Sequence, residues 1–177
     1  QCINYTIETK GGQMPKYEKI QTSENRTDLF VTGSVSKDFK KLREFYTKHV
    51  NTFIKAFDAS KKILKIETDQ NLWIRNLRSA QGTYRRLGKQ VNIDLRNYNV
   101  REICSTIIHE LTHAKQYESG NLKVDPKNRN FRIWKKTESH RFYRASQNHK
   151  KYMDQPWEVE ARANEKKYID QVMKEVK

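Results

Sequence analysis

The stretch from Asn99 to Gly120 constrains this chain more than any other. It has the length and the stop signal of a helix, with Gly120 placed to end it. Its filler residues, Leu111 and Ala114, are apolar or small, as a helix buried against a core requires. Yet the same helix carries His109, Glu110 and His113. Residues four apart on a helix lie on one face about one turn apart. Both imidazoles can therefore reach one metal ion at about 2.0–2.1 Å, the distance zinc prefers. Glu110 is rotated about 100° from His109, so it is poorly placed as a third ligand. It is well placed to act as a base on a water held in an open metal position. A chance match is the competing explanation. It loses ground because the three residues sit on an amphipathic helix, with an alternating segment shortly before it.

That segment, Val91, Ile93 and Leu95 alternating with Asn92, Asp94 and Arg96, has the period of two of a half-buried strand. Upstream, Ser36 can cap a helix reaching about Asp58. Phe39, Leu42, Tyr46, Val50, Phe53 and Phe57 form its packing stripe. His49 beside the stripe reads as a helix-surface histidine. Residues 63–67 look like a strand, 72–86 are ambiguous between strand and loop, and 83–87 suit a short strand and a turn. Residues 1–35 read as an irregular segment in which Leu29-Phe30-Val31 is a strand candidate. Downstream, Phe131 and Ile133 suggest a short strand with Trp134 on its other face, and residues 138–153 show no clear period. A final helix begins near Pro156, a residue suited to a first turn. Val159, Ala163, Tyr168, Ile169 and Val172 are its expected packing residues. The fold class is α+β, and no linker divides residues 1–177, so one domain is expected.

Composition narrows the function classes. Residues of apolar type make up 35% of the 177, enough for a core. No apolar run of about eighteen residues is present, so no transmembrane helix is expected. The formal charge of +15 suits a polyanionic partner such as nucleic acid. The basic residues are spread along the chain without an arginine-rich arm or a DNA-binding signature, so charge alone does not assign one. Cys2 and Cys104 could pair. The apolar surroundings of Cys104 favour a buried, inert thiol. The chain opens on Gln1-Cys2 rather than Met, as a secreted or otherwise processed form would. A monomer is expected.

The stretch from Val91 to Tyr117 resembles the strand–helix unit of the zincin metallopeptidases. That resemblance implies a small twisted sheet whose edge strand lies on the active-site helix and pairs with an extended peptide substrate. It implies zinc as cofactor, Glu110 as general base and a third ligand downstream. The longer metzincin motif is not met, since Gln116 and Ser119 stand where Gly and His belong. The run Pro156-Trp157-Glu158-Val159-Glu160-Ala161-Arg162-Ala163-Asn164 resembles the glutamate helix of gluzincins in two registers. In one, Glu158 is the ligand. In the other it is Glu160, followed by Asn164 as a residue that could hold a ligand histidine. The two glutamates are about 200° apart, so only one can face the metal, and Glu158 is favoured. His140 and His149 are the alternatives if the chain is closer to the SprT-like, DNA-associated zincins. Tyr152, just ahead of the glutamate helix, is the preferred oxyanion stabiliser, with Tyr143, His140 and His149 also open. The implied activity is zinc-dependent endopeptidase on protein or peptide substrates. A nucleic-acid-associated protease and a non-catalytic binding module on the same scaffold are the rivals. Glu110 speaks against the last, because binding alone has no use for it.

Overall fold

The computed structural model describes residues 5–6, 17–21, 28–32, 37–75, 77, 80–94 and 96–177, with backbone alone up to residue 40 and at 42 and 43. The architecture is mixed α and β. Strands β1 (Tyr5–Thr6), β2 (Tyr17–Gln21), β3 (Asp28–Thr32), β4 (Asn71–Arg75), β5 (Gly82–Arg85) and β6 (Gln90–Asp94) form one sheet in the order β1-β2-β3-β4-β6-β5. β3, β4 and β6 run parallel, and β5 closes one edge antiparallel to β6. The first 35 residues are thus not simply irregular. They contribute three strands, and β3 contains Leu29, Phe30 and Val31.

Helix α1 (Lys37–Ile63) crosses from β3 to β4. Its stripe of Tyr46, Val50, Phe53 and Phe57 is buried, while Phe39 and Leu42 fall among side chains outside the described set. His49 is half-buried against the Phe45 and Phe53 rings, away from the other histidines. The helix continues past Asp58 through residues expected to form a strand. Leu64 N–H bonds to Ser60 O and Ile66 N–H to Lys61 O, both at 2.9 Å, so residues 63–66 close the helix in place of starting a ladder. Lys65 takes a left-handed conformation (φ 53°) that turns Ile66 back into the core.

The segment expected as a half-buried edge strand is neither. β6 lies between β4 and β5, and residues 91–94 are all buried. Its polar residues are accepted there because they have partners. Asn92 Nδ2 donates to Thr83 O at 3.2 Å, and Asp94 pairs with Arg96 at 2.7 Å. The edge belongs to β5, joined to β6 by a tight turn over Arg86–Gly88 that Lys89 leaves with φ 47°. Leu95 lies outside the described residues.

Helix α2 (Val100–Glu118) is capped by Asn99, whose side chain accepts from Glu102 N–H at 3.1 Å. Gly120, at φ 74°, ends it. A second sheet follows, β7 (Leu122–Val124), β8 (Phe131–Trp134) and β9 (Glu138–Arg141), all antiparallel neighbours. Helix α3 (His149–Met153), capped by Asn148, leads into helix α4 (Pro156–Glu175). The aperiodic stretch 138–153 therefore holds β9 and α3.

One core joins α1, α2 and α4 to the buried face of β4 and β6. A smaller cluster of Leu122, Trp134 and Trp157 fastens the second sheet to the start of α4. The packing face of α4 is the one expected at Tyr168, Ile169 and Val172 but not at Val159 and Ala163. Trp157, Glu158, Ala161, Ile169 and Val172 are buried, while Val159 and Ala163 are exposed. The face that turns Glu158 inward necessarily turns Val159 out. Among the described residues no helix is long and apolar enough to cross a membrane.

Tyr46 ties α1 to the approach of α2. Its hydroxyl donates to Asn97 O at 2.8 Å and reaches Asp94 O at 3.2 Å. Tyr46→Phe takes this donor from Asn97 O, while Asp94 O keeps Asn97 N–H at 3.2 Å, and should lower stability by about 1 kcal/mol in urea unfolding. An unchanged midpoint would show that the bond contributes nothing.

Candidate metal centre

α2 presents His109 and His113 on one face, and the first turn of α4 brings Glu158 in opposite them. The two Nε2 atoms are 3.2 Å apart. Glu158 Oε2 lies 3.3 Å from His109 Nε2, and its Oε1 lies 3.4 Å from His113 Nε2. In a tetrahedral zinc site with arms of about 2.0–2.1 Å, neighbouring ligand atoms stand about 3.3 Å apart. The nitrogen pair has that spacing, and so does each nitrogen with its nearer Glu158 oxygen, the two carboxylate oxygens facing different imidazoles.

The other side of each ring is already engaged. His109 Nδ1 pairs with Glu165 Oε1, and Glu165 Oε2 accepts from Ser105 Oγ at 3.1 Å. His113 Nδ1 donates to Gln116 Oε1 at 2.8 Å. Gln116 is held in turn, donating through Nε2 to Trp157 O at 3.0 Å and to Glu160 Oε2 at 2.8 Å. Carboxylate and amide oxygens only accept, so both Nδ1 atoms carry hydrogen. In the neutral rings both Nε2 atoms are then bare acceptors. Glu158 Oε2 is buried without a hydrogen-bond partner. Three acceptors converge on one point, and only a cation or an added proton satisfies them. His109, His113 and Glu158 could hold a metal ion, and they form the one such group among the described residues.

The electrostatics agree. Burial alone would lower the His109 pKa, but Glu158 and Glu165 outweigh it and hold the imidazole up to about 10. His113 is also raised, again by Glu158 against burial. Burial would raise Glu158, yet the two imidazoles hold its carboxyl well below the usual range. Without metal, the cluster keeps its proton.

Glu110 faces the start of β5. A Cβ on Gly82 would stand 2.4 Å from Thr106 Cγ2 and 2.8 Å from Glu110 Oε1, so glycine is what lets the edge strand pass this close. Glu110 is only 5% exposed. Burial pushes its carboxyl up, against the pull of the two imidazoles. A cavity of about 720 Å³ opens here, lined by Gly82, Glu110, His113, Tyr152, Trp157 and Glu158 among others. Burial, then the charges of Glu158 and Glu110, push the Tyr152 phenol well above its ordinary range, so it keeps its O–H.

Other expected site residues lie elsewhere. Glu160 is not brought to the histidines. It takes the hydrogen bond from Gln116, because it projects from a different side of α4 than Glu158. His140 pairs with Glu138 at 3.3 Å, and His149 is exposed at the start of α3. Tyr143 lies under the side chains of Arg141 and Lys151. Asn164 holds no histidine. Its Nδ2 donates to Thr112 Oγ1 at 3.3 Å, and the next residue, Glu165, takes the role instead. Cys104 is buried and free, its thiol pushed by burial up to about 11, and Cys2 lies outside the described residues.

Sequence reasoning missed Gln116, Glu165 and Gly82. Two of them had a signal. Gln116 is three residues after His113, and Glu165 is seven after Glu158, so each shares a helix face with a ligand candidate. Comparison with protein-family models, with curated proteins and with solved structures gave no match.

Partners that fix a ligand imidazole typically contribute 10–100-fold to metal affinity. Glu165→Ala should therefore weaken zinc binding by about 10–100-fold. Asp170→Ala, on the same helix as Glu165, removes only an exposed pairing with Arg101 of α2 and should not. Competition with a chromophoric chelator reads both variants, and equal affinities would remove Glu165 from the site. Because a metal must displace the proton that the cluster retains, zinc affinity should rise with pH across the neutral range. Calorimetry in buffers of different ionisation enthalpy should detect proton release, and its absence would contradict the protonated metal-free state.

Proposed function

We propose that this chain is a zinc-dependent endopeptidase of the zincin type. One observation carries the reading above the others. Two imidazole nitrogens and the Glu158 carboxylate converge on one place, with the buried carboxylate of Glu110 beside them and, among the described residues, an unpaired sheet edge alongside. The first two features suit metal-assisted hydrolysis, and the third suits an extended peptide as substrate.

Zinc held by His109, His113 and Glu158 would act as a Lewis acid on the scissile carbonyl and make water acidic enough to lose a proton near neutral pH. Glu110 accepts that proton and delivers it to the departing amine. Its raised pKa serves both halves of the task, since a strongly acidic carboxyl would be a poor base. The Tyr152 O–H donates to the oxygen on which negative charge develops. Glu165 and Gln116 keep the two imidazoles in the tautomer that leaves Nε2 free. β5 offers its outer edge, unpaired among the described residues, to the substrate backbone, and Gly82 allows that edge to run directly past Glu110.

A glutamate is favoured over a third histidine because the group that could hold a metal ion contains Glu158 and neither His140 nor His149. A binding module without catalysis would have no reason to bury Glu110 at this spot, where burial costs free energy.

Glu110→Gln is nearly isosteric and removes no ligand. It should keep zinc occupancy and lower peptide cleavage by about 10²–10⁴-fold. Tyr152→Phe should lower kcat with little change in KM, because the phenol serves the transition state more than the ground state. Cleavage by the Gln variant at the parent's rate would remove Glu110 from the chemistry.

A further inference from the structure

The space at Glu110 continues along α2. One turn beyond His113, the rings of Tyr84 and Tyr117 stack at 6.1 Å. With Leu122 they line both the cavity at the metal centre and a second one of about 660 Å³. The second cavity is basic. Arg86, Lys89, Lys123 and Arg129 line it, and among the described residues none of them forms a salt bridge. Arg86 lies over the Tyr117 ring at 5.8 Å. The two acids of its wall are already occupied. Glu118 accepts from the backbone of Glu67 and Thr68 and from Lys115, and Asp125 accepts from Lys127 N–H.

A basic wall is unremarkable in a chain with 36 Lys and Arg against 21 Asp and Glu. Two further observations give this one a ligand. Gln70, only 6% exposed, lines the same cavity, and its Oε1 is buried with no hydrogen-bond partner. An amide oxygen wants a donor, which a peptide N–H supplies and a phosphate backbone does not. The cavity also lies along the proposed substrate path. β5 passes Glu110 at Gly82, and Arg86 follows its last residue. At about 3.3 Å per residue, a strand added to that edge reaches Arg86 about four residues from the bond at Glu110.

We propose that this cavity is a subsite for acidic side chains, and that the substrates are protein segments with Asp or Glu about three to five residues from the cleaved bond. The proposal rests on the peptidase reading, and the test separates the two. Zinc-loaded protein is given matched peptides carrying Glu, Gln or Lys at each position up to five residues on either side of a common bond. Glu at the subsite position should raise kcat/KM on the order of 5–10-fold over Gln, as several exposed charges acting together allow. The gain should shrink between about 50 and 500 mM salt. The double variant Arg86→Glu, Lys123→Glu should reverse the preference toward Lys, which an unfolded variant cannot do. If it does not fold, Arg86→Gln, Lys123→Gln should abolish the preference. Equal cleavage of Glu and Gln peptides would overturn the subsite and leave the peptidase standing. If no peptide is cut, the peptidase reading fails, and fluorescence anisotropy of the labelled Glu and Gln peptides reads the subsite alone. Equal binding of the two, or tighter binding of an oligodeoxynucleotide lost in the double variant, would overturn it.

Discussion

Three buried acceptors aimed at one point repel one another unless something positive stands between them. His109 Nε2, His113 Nε2 and the Glu158 carboxylate are in that position, and much of the surrounding structure follows from it. The arrangement has to be enforced, because each group alone would turn to a better partner. Enforcement comes from behind. Glu165 and Gln116 occupy the Nδ1 atoms, and Glu160 and Trp157 O hold Gln116. The glutamates make both imidazoles more basic, so the cluster favours a proton at this point. Proton and metal then compete for the same lone pairs.

The same constraint explains how α4 packs. A helix normally spends its inner face on apolar contacts. α4 divides that face between core residues, Ala161, Ile169 and Val172, and the carboxylates of Glu158 and Glu165 that reach the histidines. Packing and ligand geometry are therefore one problem, solved by the contact between α2 and α4. Trp157, fixed against Trp134 and Leu122, sets the rotation of the first turn of α4 and so the direction of Glu158. The second sheet supports the site without supplying a ligand to it. On the opposite side, Gly82 lets β5 approach Glu110, which places the sheet edge and the proposed base side by side.

What the sequence made legible is local. The helix around His109 and its capped ends follow from spacing, Asn99 and Gly120, and the long stripe of α1 follows from its period. Failures came where a helix end or a tertiary partner decided the outcome. Residues 63–67 look like a strand, but hydrogen bonds to the carbonyls of residues 60–62 make residues 63–66 the close of a helix. β6 alternates as an edge strand would, yet β5 covers it and its polar residues find partners inside. Glu158 and Glu160 both sit in matching local patterns, and only the rotation of α4 against α2 separates them. Glu165 was within reach of the helix period, whereas the place of Tyr152 beside Glu158 depends on the bend between α3 and α4.

The proposed function depends on which groups would surround the metal. X-ray absorption at the zinc edge of the zinc-loaded protein tests it most directly. One zinc with only nitrogen and oxygen neighbours at about 2.0–2.2 Å is expected, with outer-shell scattering from two imidazoles. The Glu158→Ala variant should keep the two-imidazole signal while losing affinity. Sulfur neighbours at about 2.3 Å, a signal from three imidazoles, or failure to take up zinc at all would contradict it.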